Sequence, residues 1–289
     1  MLDRATSALR EALGRLRRDG TPADLLAHGR RHLDPATLQL LGLRGQPFSD
    51  QTPPEDLYVD DAIRMQINMI SQQLVEGEVL PVLRGEAGSG RTSVLIRLMT
   101  DHARRMHFFV ARGGTGLKAQ RVIIDMLRML VRPVPEDPAE CYRDLARRLR
   151  ALMVDGQPAV LVIDDADRMP DREIANILAL HDSLRRTLNG GFRTLLVGDP
   201  GFDTRLMTLD SEQIRAGQLV AADVRPMSRP RIGPFLEHRL RVAGREDDAP
   251  FSATDLERIF AATGGLPRDV EIAAAAALEA RFGTGNHRT

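Results

Sequence analysis

The 289-residue chain has one cysteine and one lysine, and its forty basic and forty acidic residues leave no net charge. Each shortage excludes something. Cys141 has no partner for a disulfide, so no cross-linked scaffold exists and a reducing compartment fits best. Lys118 stands against a basic complement that is otherwise all arginine, so one arginine in place of a lysine carries little weight as a statistic. It keeps its chemical weight wherever a site needs a compact point charge. Zero net charge gives the molecule as a whole no pull on nucleic acid or anionic membrane. The local clusters Arg104–Arg105 and Arg147, Arg148, Arg150 read as solvated helix faces. No apolar run approaches the roughly 20 residues that span a bilayer. Asp3, Arg4, Arg10 and Glu11 make the start of the chain unlike a secretory signal, so the expected location is cytoplasmic. Internal repeats and low-complexity tracts are also missing.

What is present reads in three textures. Leu2, Leu9, Leu13 and Leu16 have helical spacing, and further short helices are expected after Thr21-Pro22 and after Asp34-Pro35, giving an N-terminal helical extension over 1–40. A proline-rich loop, "GQPFSDQTPPEDLY", then leads to Ile63, Ile67, Ile70 and Leu74 at helical spacing. Short β-branched runs follow at Val79–Leu83, His107–Ala111, Ala159–Ile163, Thr194–Val197 and Leu219–Val224. Between them lie helical patterns centred on Leu95–Met106, Leu117–Leu130, Pro138–Met153 and Arg172–Leu188. Buried strands alternating with longer helices predict an α/β fold, a parallel sheet covered by helices on both faces, over 41–227. Ligands then bind at the C-terminal strand edge. After Pro226 only helical patterns remain, predicting a small all-helical lid domain over 228–283 and a disordered tail over 284–289.

Two constellations carry chemistry. "GEAGSGRTS" (Gly85, Glu86, Ala87, Gly88, Ser89, Gly90, Arg91, Thr92, Ser93) follows an expected strand and opens an expected helix. This is the context a phosphate-binding loop requires. Glycines let backbone N–H groups turn toward phosphate oxygens, and the helix N-terminus favours negative charge. Thr92 offers its hydroxyl to Mg²⁺. Arg91 occupies the lysine position, and its wider, planar guanidinium suits phosphate binding better than in-line transfer. The second constellation is "AVLVIDDAD", an apolar strand tipped by Asp164 and Asp165. Asp164 suits the magnesium shell, and Asp165 stands one methylene short of the glutamate that usually polarises the attacking water.

Other candidates are weaker. His28 and His32 stand four apart without the glutamate of a zinc-protease motif. Ser89 and Ser93 lack a nucleophile elbow, and Cys141 lacks a histidine signal. Met65, Met69, Met126 and Met129 have core spacing and are expected to fill it.

With these pieces the chain resembles the AAA+ P-loop ATPases and, more narrowly, the ExeA-like proteins of general secretion pathway type A, over about 41–282. "GLRGQPFSDQTPPEDLY" looks like the family's leading loop, "GEAGSGRT" its Walker A and "VLVIDDAD" its Walker B region. "TLLVGDP" stands where the family has its first sensor, which makes Asp199 the candidate, and "TGGLPRDV" puts Arg268 at the second sensor position. Arg215 is the nearest arginine to the one that reaches a neighbouring subunit's nucleotide, but its spacing to Pro226 does not match.

The resemblance implies ATP or ADP with Mg²⁺ as ligands, and assembly with protein partners of the envelope or secretion type. It is compatible with a homo-oligomer, and any membrane link would come through a partner. The departures at Arg91, Asp165 and Asp199 all fall on hydrolysis, so slow or impaired turnover is expected. A non-hydrolysing scaffold is one alternative. A DNA-associated, transposition-helper-like ATPase is another, though the charge balance argues against nucleic acid.

Overall fold

The computed structural model describes residues 31–49, 52–130, 133–209 and 211–283, with no account of the side chains at 154, 212 and 213. The N-terminal extension before residue 31, His28 within it, and the tail from 284 lie outside the described residues. The chain forms two compact units.

The first unit comprises Asp61–Glu86 and Arg91–Val224. Its centre is a parallel sheet of β1 (Leu80–Gly85), β2 (His107–Arg112), β3 (Ala159–Asp164), β4 (Phe192–Gly198) and β5 (Leu219–Val224), in the order β2-β3-β4-β1-β5. The expected α/β class is therefore the observed one. β3 is buried at every position, as a central strand covered on both faces must be, which accounts for its run of Val, Leu and Ile.

Helices α2 (Asp61–Glu76), α3 (Arg91–His102), α4 (Ala119–Met129), α5 (Pro138–Leu152) and α6 (Asp171–Thr187) belong to the same unit. Each shows its own local cause. In α5, the Asp137 side chain accepts from the Glu140 N–H at 2.9 Å and Pro138 opens the first turn. Cys141, Leu145 and Leu149 then recur every four residues on the buried face, so Cys141 is a core residue. Two short helices the periodicity did not show, α7 (Phe202–Leu206) and α8 (Glu212–Arg215), fill the β4–β5 connection.

One core expectation is corrected. Met126 and Met129 are buried, but Met65 is 72% and Met69 41% exposed. The stripe of α2 that turns inward is Ile67, Ile70, Ser71 and Leu74, and the two methionines lie off it.

The second unit holds the described parts of 31–60, the loop residues Ala87–Gly90, and 225–283. It contains α1 (Pro35–Leu40), α9 (Arg229–Val242), α10 (Ala253–Thr263) and α11 (Pro267–Phe282). A capping box, Ser252 with Asp255, starts α10, and Gly264 in the left-handed region ends it.

The proline-rich leading loop belongs to this helical unit, where the sequence reading placed it with the sheet. The cause is a set of long-range bonds. Arg239, 5% exposed, donates to the Thr52 hydroxyl and to the Ser49 carbonyl at 2.8 Å, and pairs with Glu271 at 3.2 Å. His238 Nε2 bonds the Asp56 carbonyl, Arg231 pairs with Asp60, and Tyr58 packs edge-on against Phe235. Leu33, Leu41 and Phe48 enter the same apolar core as Phe235, Leu240, Val270 and Leu278.

Candidate phosphate-binding site

β1 ends at Gly85 and α3 begins at Arg91, so five residues make the whole connection. Gly88 at φ 91° and Gly90 at φ 96° occupy the left-handed region that a side chain disfavours. The helix starts at the arginine, where the loop motif was expected to open it. The free N–H groups of its first turn therefore belong to the loop.

Two polar groups in this stretch are orphans. Ser89 Oγ and Arg91 Nη1 are both buried without a hydrogen-bond partner. Leaving such donors unmatched is unfavourable by about 1–3 kcal/mol each, and an anion held in the loop would satisfy them. Within the second unit, the Arg268 backbone N–H donates to the Gly88 carbonyl at 3.2 Å. A Cβ on Gly88 would come to 3.0 Å from Arg268 Cβ. Loop and second-sensor candidate are thus in direct contact.

Within the first unit, parallel pairing brings Asp164 and Asp165 to the same sheet edge as the end of β1. Thr92 Oγ1 donates to Asp164 Oδ2 at 3.3 Å, and Asp164 is only 5% exposed. Burial, and secondarily the Asp165 carboxylate, raises the Asp164 carboxyl above its ordinary range. A divalent cation would reverse both effects, so a hydroxyl and a desolvated acid at this spacing fit Mg²⁺ by their chemistry. Among the described residues no group of three or more acids, histidines or cysteines forms a separate metal cage.

Asp165 is differently placed. Its backbone is left-handed at φ 53°, which turns the carboxylate toward a ring of arginines. Arg112 Nε lies 3.1 Å from Oδ2, Arg91 Nη2 3.7 Å from Oδ1 and Arg168 Nη1 3.9 Å from Oδ2. The lysine substitute of the loop and the glutamate substitute of the strand therefore pair with each other.

Arg112 and Arg168 were not singled out from the sequence. Arg112 ends β2 opposite Asp164 in register, a signal visible only once β2 is known to lie beside β3. Gly113 follows it, and a Cβ there would fall 2.3 Å from the Asp165 carbonyl oxygen, so this glycine lets the two strand ends close up.

Asp167 was also missed. Its carboxyl is raised by burial, against the pull of Arg91, and its Oδ1 lacks a hydrogen-bond partner.

The remaining candidates are less engaged. Asp199 is exposed just past β4, the strand between β1 and β3, and its charge is felt at Asp167. Ser93 and Glu86 are exposed, and Arg215 is exposed at the end of α8. His32 is exposed and Cys141 Sγ bonds the Pro135 carbonyl, so neither forms a site.

Residues 75–206 match the family of AAA domains. Over 256 residues the chain is 24% identical to general secretion pathway protein A of Aeromonas hydrophila, a match covering 86% of this chain and 46% of that protein. The chain thus spans less than half the length of that relative. Among solved structures it resembles a Walker-type ATPase of Pyrococcus abyssi, with a TM-score of 0.62 at 15% identity, covering 82% of this chain and 72% of that one. It also resembles Cdc6p from Pyrobaculum aerophilum, with a TM-score of 0.59 at 18% identity, covering 81% and 66%. Residues 75–206 are thus similar to AAA domains, and the chain is similar over most of its length to general secretion pathway protein A.

Proposed function

We propose that this AAA+ chain binds ATP or ADP with Mg²⁺ at loop 85–93, hydrolyses ATP slowly, and uses its nucleotide state to control assembly with a protein partner. The observation that carries the reading is the pair of buried, unmatched donors in the loop, Ser89 Oγ and Arg91 Nη1, beside the Thr92–Asp164 contact. Phosphate oxygens would satisfy the donors, and Thr92 with Asp164 would hold the cation. When bound, Mg²⁺ offsets charge on the β- and γ-phosphates. Arg268, bonded through its backbone to Gly88, is the proposed reader of the terminal phosphate.

Slow turnover follows from how Asp165 is engaged. A residue that orients water needs a carboxylate oxygen free to accept its proton. Here both oxygens face guanidinium groups, and the side chain is only 14% exposed. Arg91 Nη1 can meet a phosphate oxygen while Nη2 stays beside Asp165, and Arg112 holds the other oxygen of the acid. Asp199 adds negative charge just past β4, the strand between those of the two motifs, which opposes a terminal phosphate.

The partner reading rests on the similarity to general secretion pathway protein A, so a component of secretion or envelope machinery is the first partner class to test. Among the described residues no helix is long and apolar enough to cross a membrane. The test is titration of ATP and ADP with Mg²⁺ while phosphate release is followed. Saturable binding with slow release supports the proposal. Absence of saturable binding overturns it.

A further inference from the structure

A second cluster of basic side chains lies at the opposite edge of the sheet, where the strands begin. Arg104 and Arg105 on the α3–β2 connection and Arg193 at the start of β4 line a cavity of about 450 Å³, together with Val75, Met153, Asp155 and the 156–158 turn. Arg104 and Arg105 are exposed. Arg193 is half-buried and fixed: Nε donates to the Leu74 carbonyl at 3.0 Å and Nη1 to the Phe192 carbonyl at 3.2 Å. The guanidinium lies directly over Gly77, where a Cβ would fall 1.9 Å from its Cζ. Gly77 at φ 71° therefore makes room for a charge that the fold brings inward.

That charge is not compensated. Among the described residues, Arg104, Arg105, Arg185 and Arg193 have no carboxylate within ion-pair distance. Asp155 is the one acid in the lining, against three guanidinium groups. Arg185, on α6, brings a like charge close to Arg193 and has a buried, unmatched Nη1. Burial, with the Arg185 charge second, pushes the Arg193 guanidinium down to about 10. A half-buried cation beside another cation is unfavourable unless an anion shares the site. Elsewhere in the same unit the partly buried arginines meet acids, as Arg84 does with Asp203 and Asp223.

We propose that this cavity binds a phosphate group, free or as a small monoester, at a site separate from the nucleotide loop. A dianion matches the excess of guanidinium groups over Asp155. The Nη2 of Arg193, with Arg104 and Arg105, supplies forked donors suited to phosphate oxygens. The volume leaves room for a small organic substituent against Val75 and Met153. The site stands independently of the nucleotide reading, because it shares no residue with loop 85–93.

The chain contains no tryptophan, so Val75→Trp, at a position 50% exposed on the cavity lining, gives a single local fluorophore. Full-length V75W is titrated with orthophosphate, with glycerol phosphate, and with acetate at matched ionic strength. Expected are a saturable change with orthophosphate or the ester, at least tenfold weaker binding in V75W/R104A/R105A, and unchanged binding in V75W/T92A. The tighter of the two phosphate ligands identifies the source. Thermal shift of the wild-type chain against R104A/R105A in the same ligands repeats the comparison without the tryptophan. An equal response to acetate, equal affinity in the arginine variant, or loss of binding in T92A overturns the proposal.

Discussion

Arg91 and Asp165 each differ slightly from the residue a hydrolysing P-loop site carries, and the structure shows that the two differences meet. A guanidinium reaches the acid at 3.7 Å, and Arg112 reaches its other oxygen at 3.1 Å. Arg112→Ala should therefore leave Asp165 Oδ2 with only the more distant Arg168 at 3.9 Å and raise the rate of phosphate release severalfold, with little effect on ATP affinity. A fall in rate would show that Arg112 assists the reaction.

A second residue-scale prediction concerns His181. It is buried, bonds the Thr194 hydroxyl at 3.0 Å, and is held down to about 3 by burial and then by Arg185 and Arg193. Its folded value lies below the ordinary 6.5, so protons bind the unfolded chain preferentially. Stability from this residue is full above about pH 6.5 and declines as pH falls toward 3. Over that window one proton contributes a slope of up to about 1.4 kcal/mol per pH unit. His181→Gln should flatten the acid limb of a melting-temperature profile. An unchanged limb would show that the ring is protonated in the folded state.

At the scale of elements, two positions of the helical unit test its construction. Gly265 has φ 82°, and a Cβ there would lie 2.0 Å from the Met227 carbonyl oxygen. Gly265→Ala should destabilise by more than about 2 kcal/mol, from left-handed strain and the clash together. Arg239→Met should cost about 2 kcal/mol or more, because it takes one of two arginines from the buried Glu271, Arg31 remaining at 3.4 Å, and removes the bonds that hold the leading loop at Ser49 and Thr52. Chemical denaturation measures both, and a change within about 0.5 kcal/mol would contradict the described packing.

These elements also show what the sequence revealed and what it hid. The glycine loop between β1 and α3 was legible because its signal is local: glycines at fixed offsets between an apolar strand and a helix. The acid-tipped strand was legible for the same reason. The Arg112–Asp165 pair was not, since it depends on β2 lying beside β3, and strand order leaves no mark in a single sequence. The attachment of the leading loop was hidden likewise, its Arg239–Thr52 bond spanning 187 positions. On α2 the periodicity of the isoleucines was correct, and the methionines misled because they are apolar without lying on the buried stripe.

For the whole molecule, charge neutrality conceals an uneven distribution. At the C-terminal strand edge arginines are matched by acids, whereas at the N-terminal edge Arg104, Arg105 and Arg193 outnumber the one lining acid. The first edge carries the proposed nucleotide chemistry and the second the proposed phosphate cavity. The account as a whole rests on the loop holding nucleotide while Arg91 and Asp165 slow its turnover. The most direct test is a titration of the full chain with Mg²⁺–ATP, recording bound nucleotide and released phosphate together, in the wild type and in R91K/D165E. The account predicts one nucleotide per chain in both proteins, with phosphate release at least tenfold faster in the double variant. No saturable binding by the wild type, or equal release from the two, would contradict it.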